Sequence, residues 1–490
     1  MPRYLSSWNG TTGRGLGLVV LLLATMSAVS LAGLATPLWS GLALGTVAGI
    51  ALLLTLAALA PSHFCDALYA AFLATASIPV DKYFAYQPHV GGWPGLRFAL
   101  ADILLLLLSV LALLAVLLHR KGARLPAALA VPYLLLLGQY VVSILRADQA
   151  ELGMFELAGA AHALSVAVVV AALFRRSSVS AAFAVASVMV VLHSSVAFLQ
   201  IATGRPIGAG IFRPHEEVMR EMLVTGSVRL RPSGLFDHPI VFADFIQVSL
   251  PLLFAAIMVV KHRLARAGVL VALAIGTSAL ILTLARGAWI ASSVSAAVFV
   301  LLAARLRLLG RRQLFRFVGW ASAVTLAIAL LVGPRIYERF TESQEGNLRV
   351  RLELNEIALS MIADRPLDGV GLNNFLPAMA RYDPKDVMRY FPGTVHNLYL
   401  LEAAETGLPG ILLLLACGVG LVVWSSRRLG LIADPARQWL AVAVLAGLAG
   451  FSVSQLADFS YRLEPLRTVL WCEVGLLVGA LGPADGRGAS

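Results

Sequence analysis

Residues 98–145 read FALADILLLLLSVLALLAVLLHRKGARLPAALAVPYLLLLGQYVVSIL. Two apolar runs, 98–118 and 125–145, flank a basic elbow formed by Arg120, Lys121 and Arg124. About 20 mostly apolar residues in helical conformation cross the hydrocarbon core of a bilayer, so each run is a spanning helix. The elbow between them has too few residues to be anything but a turn at one membrane face. The rest of the chain repeats this arrangement. Of its 490 residues 59% are hydrophobic and only 13% charged, with a mean hydropathy of +0.83. A water-soluble chain carries roughly 25% charged residues, so a set of soluble domains is excluded. The glycines show no three-residue period, which excludes a collagen-like chain. Cys65, Cys417 and Cys472 all lie in apolar stretches and read as small core residues rather than a disulfide framework.

Fourteen runs qualify as spans: 16–35, 38–60, 64–80, 98–118, 125–145, 152–174, 179–202, 239–260, 267–284, 288–304, 315–333, 404–424, 438–457 and 467–482. Two are short, so the range is twelve to fourteen. The first is read as an anchor, because it is long, has no small-residue cleavage pattern and runs straight into a second span. The basic clusters Arg120/Lys121/Arg124, Arg175/Arg176, Lys261/Arg263/Arg266, Arg305 to Arg316 and Arg427/Arg428/Arg437 then fall on one side, with Arg3, Arg14 and Arg487. Positive charge marks the cytoplasmic side, which places both termini there. The net charge of +11 therefore reports topology, and nucleic acid is not an expected partner.

The expected fold is an all-α polytopic membrane protein of about fourteen helices, with a helical periplasmic cap from one large late loop. Its parts are N-terminal spans (1–202), spans with an outer arginine-bearing segment at 203–238 (203–333), the large periplasmic loop (334–397), C-terminal spans (398–482) and a cytoplasmic tail (483–490). Within the loop, 349–363 reads as an amphipathic helix with Leu352, Ile357, Leu359 and Ile362 among its apolar positions. Asp364-Arg365-Pro366 ends that helix.

Arg231, Arg286 and His396 carry the chemistry. Arg286 lies between two spans with almost no loop, where an arginine either snorkels to headgroups or lines a cavity. Arg231 in RLRPSG reads, alone, as a solvated loop arginine, and His396 in VHNLYLL as a packed polar residue. Together they suit a lipid-linked diphosphate at the outer leaflet. Guanidinium forks match phosphate oxygens, and a histidine held neutral by neighbouring cations can take a proton from an acceptor hydroxyl. No HExxH, CxxC or DxD-like pattern stands in the outer segments and no phosphate-binding glycine loop in the chain, so neither a metal nor another cofactor is called for.

The segments RLRPSGLFDHPIVFADF, LTLARGAWIA, RVRLELNEIALSMIADRPLDGVGLNNF and HNLYLLEAAETGLPGILLLL, in this order, resemble the O-antigen ligase and O-antigen/exopolysaccharide polymerase superfamily. The resemblance spans about 225–424. Its most specific piece is a D-x-P-L-x-G-x-G-x-x-x-F turn paired with an H-N-x-Y-L…E-x-G-x-x-G span. It implies an inner-membrane transferase that moves a glycan from undecaprenyl diphosphate to an acceptor hydroxyl, with inversion and without metal. Carried onto this chain, it puts the diphosphate on Arg231 and Arg286 and the base on His396. It makes Arg349 and Arg351 further anion-binding candidates, lets Asn397 orient His396 or a sugar, and gives Glu405 and Gly407 a structural role. Two departures are Ala285, where serine is common, and Pro239-Ile240, where Pro-Asn is common.

Expected partners are an undecaprenyl-diphosphate oligosaccharide, the bilayer and a chain-length regulator. Polymerisation of repeat units is favoured over ligation to lipid A-core, because the span count and segment 203–238 exceed the minimal ligase plan. A flippase or proton-coupled carrier is the reading of another class. It would use acids near spans, such as Asp102, Glu156, Asp244 and Glu473.

Overall fold

The computed structural model describes residues 61–119, 125–205, 220–222, 228–310, 312, 319 and 344–482. The expected spans 16–35, 38–60 and 315–333 (Gly319 apart), most of segment 203–238 and the tail 483–490 lie outside these residues. The other eleven expected spans coincide with helices: α1 (Pro61–Thr75), α2 (Leu100–His119), α3 (Ala127–Ile144), α4 (Ala150–Ala172), α5 (Arg176–Thr203), α6 (Pro239–Val259), α7 (Arg263–Leu282), α8 (Arg286–Arg305), α12 (Leu398–Leu429), α13 (Pro435–Ser454) and α14 (Leu466–Leu481). Eight of them, α3 to α8, α12 and α13, are long and apolar enough to cross a membrane. Between α8 and α12 lie α9 (Gln344–Asp364) and two short helices, α10 (Phe375–Met379) and α11 (Val387–Tyr390).

The described residues are mostly helical but not purely so. Two antiparallel ribbons stand in connecting segments: β1 (Asp81–Phe84) with β2 (Leu96–Ala99), and β3 (Arg220–Met222) with β4 (Val228–Leu230). In the first, burial alternates along DKYF and LRFA. That period of two is the signature of a strand with one face on the protein.

Helix ends follow local chemistry. Pro239 and Pro435 open α6 and α13, where a missing N–H costs nothing, and His238 and Asp434 accept from Ile240 N and Ala436 N. Helix α6 is buried almost throughout, enclosed by α5, α7, α8 and α13. Small residues let α8 and α13 approach: a Cβ on Gly450 would sit 2.3 Å from the Ala291 carbonyl oxygen. In α2, α3 and α12 rows of leucine and valine remain exposed, as lipid-facing sides require.

Helix α12 is two helices. Gly407 has φ 74° and ψ 178°, so 398–406 and 408–429 meet at a kink, and Pro409 starts the second half. Three carbonyls at the break, those of Ala404, Glu405 and Thr406, find partners outside the helix. Ser143 Oγ and Gly371 N donate to Glu405 O at 2.6 and 3.1 Å, and Gln139 Nε2 donates to Thr406 O at 2.8 Å. Leu408 N in turn donates to Pro366 O at 2.7 Å, and Val370 N to Ala404 O at 2.9 Å. The turn at 364–375 is thereby docked onto the kink. A Cβ on Gly369 would lie 2.2 Å from Glu405 O, and one on Gly407 2.5 Å from the Leu367 carbonyl carbon. Both glycines also hold left-handed backbone.

Beneath this junction lies a charged cluster buried from water. Arg462 bridges Glu402 (2.6 Å) and Glu405 (2.5 Å), and Arg467 pairs with Glu156 at 2.6 Å. Glu405 also accepts from Phe375 N and Asn373 N at 3.0 and 2.9 Å, and Glu156 from Trp93 N at 3.1 Å. Asp102 pairs with His162, and Asp244 accepts from Ser460 Oγ. Three of the four acids that a carrier would use therefore have structural partners. Glu405 and Gly407 hold the scaffold, as the resemblance implies.

Removing one partner of a buried ion pair strands the other at a cost of about 3–5 kcal/mol. Arg462→Met, which leaves both Glu402 and Glu405 uncompensated, is expected to fall in that range or above it. Gly407→Ala is expected to destabilise as well, through its positive φ and the clash with Leu367. The thermal midpoint of the detergent-purified protein, followed by intrinsic fluorescence, measures both; a midpoint unchanged in Arg462→Met would contradict the assignment.

Candidate functional site

Segment 455–467 organises one end of the bundle. It leaves α13, forms a short 3₁₀ turn at Ser460–Arg462 and enters α14. Its backbone and side chains meet the starts of α12 and α8 and the helix α9. Leu398 N donates to Gln455 O at 3.0 Å and Asp458 O at 2.9 Å, which pins the start of α12 and hence His396. Arg351 Nη1 donates to Ala457 O at 3.0 Å. At the start of α8, a Cβ placed on Gly287 would rest 3.9 Å from Ala457 Cβ, so Arg286 begins its helix beside the same residue.

Arg231 reaches this place from the other side. Its Nε donates at 3.1 Å to Thr283 O, two residues before Ala285-Arg286. The sharp α7–α8 connection, with Leu284 at φ 56° and the Thr283 hydroxyl accepting from Ala285 N at 3.3 Å, therefore receives one arginine and presents another. Arg351 and His396 lie against residues 457–459, the start of α8 lies beside Ala457, and Arg231 is tied to the α7–α8 connection through Thr283 O, although these residues are spread over more than 160 residues of chain.

Helix geometry separates the two arginines of α9. Two residues apart on a helix lie about 200° around the axis. Arg351 faces Ala457, while Arg349 is on the exposed side, paired with Glu353 at 3.0 Å. The structure thus brings in Arg351 and leaves Arg349 outside the cluster. The helix is amphipathic as expected, but Leu354, Ile357, Ala358 and Met361 form the buried stripe, and Leu352 and Leu359 are exposed. Asn397 is the N-cap of α12: its Oδ1 accepts from Tyr399 N and Leu400 N at 3.0 and 3.1 Å. Its oxygen thus fixes the helix start immediately after His396.

Two site residues were not singled out from the sequence. Asp458 is buried and lies within electrostatic reach of both His396 and His238. His238, the N-cap of α6, has its pKa pushed down to about 4. Burial is the main cause, the charges of Arg231 and His396 push the same way, and Asp458 opposes them. His396 is also held below its ordinary value, first by burial and then by Arg351, with Asp458 and the Thr394 backbone acting in the opposite sense. Its ring lies 5.6 Å from those of Phe391 and Phe459, which wall it from solvent. A signal for this segment was present. DFSYRLEPLR (458–467) packs Asp458, Arg462, Glu464 and Arg467 into ten residues between two apolar runs.

The arrangement holds an imidazole whose pKa is lowered by burial and by Arg351, at the end of the bundle where the α7–α8 connection receives Arg231 and leads into Arg286. It can bind a multiply charged anion and accept a proton next to it. Among the described residues no group of His, Cys, Asp and Glu side chains is placed to hold a metal ion.

Residues 269–415 match the family model described as O-antigen ligase. The match contains Arg286, Arg351, His396 and the docked pair of motifs; Arg231, His238 and Asp458 lie outside it. No curated protein matches the chain.

The electrostatics predict how His396 titrates. Its imidazole is expected to deprotonate below the ordinary 6.5 and to be neutral at pH 7. Asp458→Asn removes a charge that favours the imidazolium, so it should move this titration to lower pH. Arg351→Gln removes a charge that opposes the imidazolium, so it should move it to higher pH. Carbethoxylation of His396 against pH, read by mass spectrometry, tests both signs; shifts of the same sign in the two variants would disprove the arrangement.

Proposed function

We propose that the chain is a member of the O-antigen ligase and polymerase superfamily, a reading supported by the match of residues 269–415 to the O-antigen ligase model, and that it is a membrane transferase acting on a lipid-linked glycan. The observation that carries this reading is that Arg351 and a His396 of lowered pKa lie against Ala457–Asp458, beside the start of α8, with Arg231 bound to Thr283 O just before Arg286. The donor is an undecaprenyl-diphosphate oligosaccharide, and the site end of the bundle faces the periplasm. In this position the polyprenyl tail stays in lipid while the diphosphate reaches the arginines.

The reaction is a single displacement. His396 removes the proton from an acceptor sugar hydroxyl, and the hydroxyl oxygen attacks the anomeric carbon. The bond from that carbon to the diphosphate oxygen breaks, and the diphosphate leaves with the electron pair. Attack from the face opposite the leaving group inverts the anomeric centre. The arginines stabilise the growing negative charge, and Arg231 and Arg351, held by backbone carbonyls before the reaction begins, need little reorganisation. Asp458 supports the positive charge that His396 acquires. The acceptor in this reading is a second lipid-linked repeat unit, which makes the protein a polymerase; a lipid A-core acceptor would make it a ligase.

Purified protein in detergent, given undecaprenyl-diphosphate oligosaccharide as sole substrate, is expected to produce a ladder of lengths. Turnover only after lipid A-core is added would identify the ligase, and no turnover in either case would favour a carrier. His396→Ala is expected to lower the rate by about 10²–10⁴, the usual contribution of a general base, with donor binding retained. Arg286→Ala should weaken donor binding and slow transfer together. A His396→Ala variant with unaltered turnover would eliminate the proposed base.

A further inference from the structure

The β1–β2 ribbon has two unlike faces. On one, Asp81 and Arg97 form an ion pair at 2.6 Å, and Arg97 reaches on to Glu464 at 3.6 Å. Glu464 belongs to the same segment, 455–467, that organises the site. This face is half-buried, with the Arg97 side chain itself almost covered, and the paired charges staple a short ribbon that would be marginal alone. On the other face, the register pairs Lys82 with Phe98 and Phe84 with Leu96. Phe84, Leu96 and Phe98 are each about half exposed (53%, 48% and 51%), and Tyr86 continues the patch at 53%. Lys82 Nζ lies 5.5 Å from the centre of the Phe84 ring.

Residues this apolar do not face water without a reason. What covers them is indicated by the chain itself. Strand β2 passes without a break into α2, whose Ile103, Leu106, Leu107, Val110, Leu113 and Leu117 form an exposed lipid-facing row. The ribbon is therefore continuous with the membrane-contacting surface, at the end of the bundle where the site lies. Lys82 on this face keeps the ribbon out of the hydrocarbon core, where a charge at helix centre costs about 2.5–3.5 kcal/mol or more. Phenylalanine and tyrosine over a neighbouring lysine suit the headgroup boundary instead: the rings bury shallowly and the ammonium meets phosphate oxygens.

The geometry points to this ribbon as a membrane-interface anchor: Phe84, Leu96 and Phe98 rest in the leaflet on the site side, with Lys82 at the phosphate level. The partner is bilayer phospholipid. Because its opposite face is tied through Arg97 to Glu464, the anchor fixes the height of segment 455–467, and so of the site, relative to the headgroups. This inference does not depend on which reaction the site performs.

The test uses the full chain in liposomes of phosphatidylethanolamine and phosphatidylglycerol. Cys65, Cys417 and Cys472 are free and are replaced by alanine. A nitroxide is attached at position 84, 98 or 96 in turn and, as a reference, at Tyr390, which is exposed on α11. Collision with oxygen is compared with collision with a water-soluble nickel chelate. Labels on the ribbon are expected to favour oxygen, and the Tyr390 label to favour nickel. Nickel access at 84 and 98 equal to that at 390 would put the face in water. Shielding from both reagents would put protein on it. Either result overturns the anchor, and the label at 96 gives an independent reading should one of the phenylalanine positions fail to yield folded protein.

Discussion

A guanidinium group buried between two carboxylates sets the terms for this structure. Arg462 and its partners Glu402 and Glu405 are almost completely removed from water. Charges in such a place persist only where geometry satisfies all of them, since desolvation costs several kcal/mol per ion. The remaining carboxylate lone pairs go to Asn373 N and Phe375 N. This explains why the sequence needs a turn of the form D-x-P-L-x-G-x-G-x-x-x-F: its glycines let the backbone approach the kink closely enough for two amide donors to reach one glutamate. The glutamate, the glycine kink and the turn are one device, and none of the three has a reason to exist without the others.

The device matters because it fixes a histidine. His396 lies two residues before the first half of α12, the half that Arg462 holds. Burial and the charge of Arg351 hold this imidazole below its ordinary pKa, which leaves it neutral at pH 7 but also weakens its basicity. Asp458 moderates that loss, since its carboxylate favours the imidazolium. The imidazole thus stands between opposing charges, Arg351 disfavouring its protonation and Asp458 favouring it.

Much of this was legible in the sequence, and the parts that were not have physical reasons. The spans were legible because hydrocarbon imposes one requirement, a long apolar run, that a single sequence displays directly. Arg231, Arg286 and His396 stood out because polar groups next to spans are costly. Segment 458–467 was passed over because a ten-residue connection between spans reads as a simple turn. Its charges gain meaning only from partners such as Glu156 and Glu402, which are far away in the chain. The buried face of α9 was misread for a different reason. The helix carries two apolar stripes, one through Leu354, Ile357 and Met361 and one through Leu352 and Leu359, and periodicity does not say which of them meets protein. The β1–β2 ribbon was missed because strands of four residues give too few alternations to register beside a helix of twenty.

The family match and the site have different boundaries, and the difference bears on mechanism. Residues 269–415 supply Arg286, Arg351 and His396. Arg231 comes from before them, and Asp458 and Arg462 from after. Within the matched stretch, Arg351 donates to a carbonyl beyond it, Ala457 O, and the amide of Leu398 does the same to Asp458 O. The stretch therefore contains most of the charged groups but not the backbone that aligns them. That backbone is held by α13 and α14, whose packing against α6 and α4 is what a bundle in lipid provides. An arrangement assembled this way cannot reside in residues 344–397 as a separable unit. That segment contributes Arg351 and His396, and the helices after it hold the backbone against which they lie.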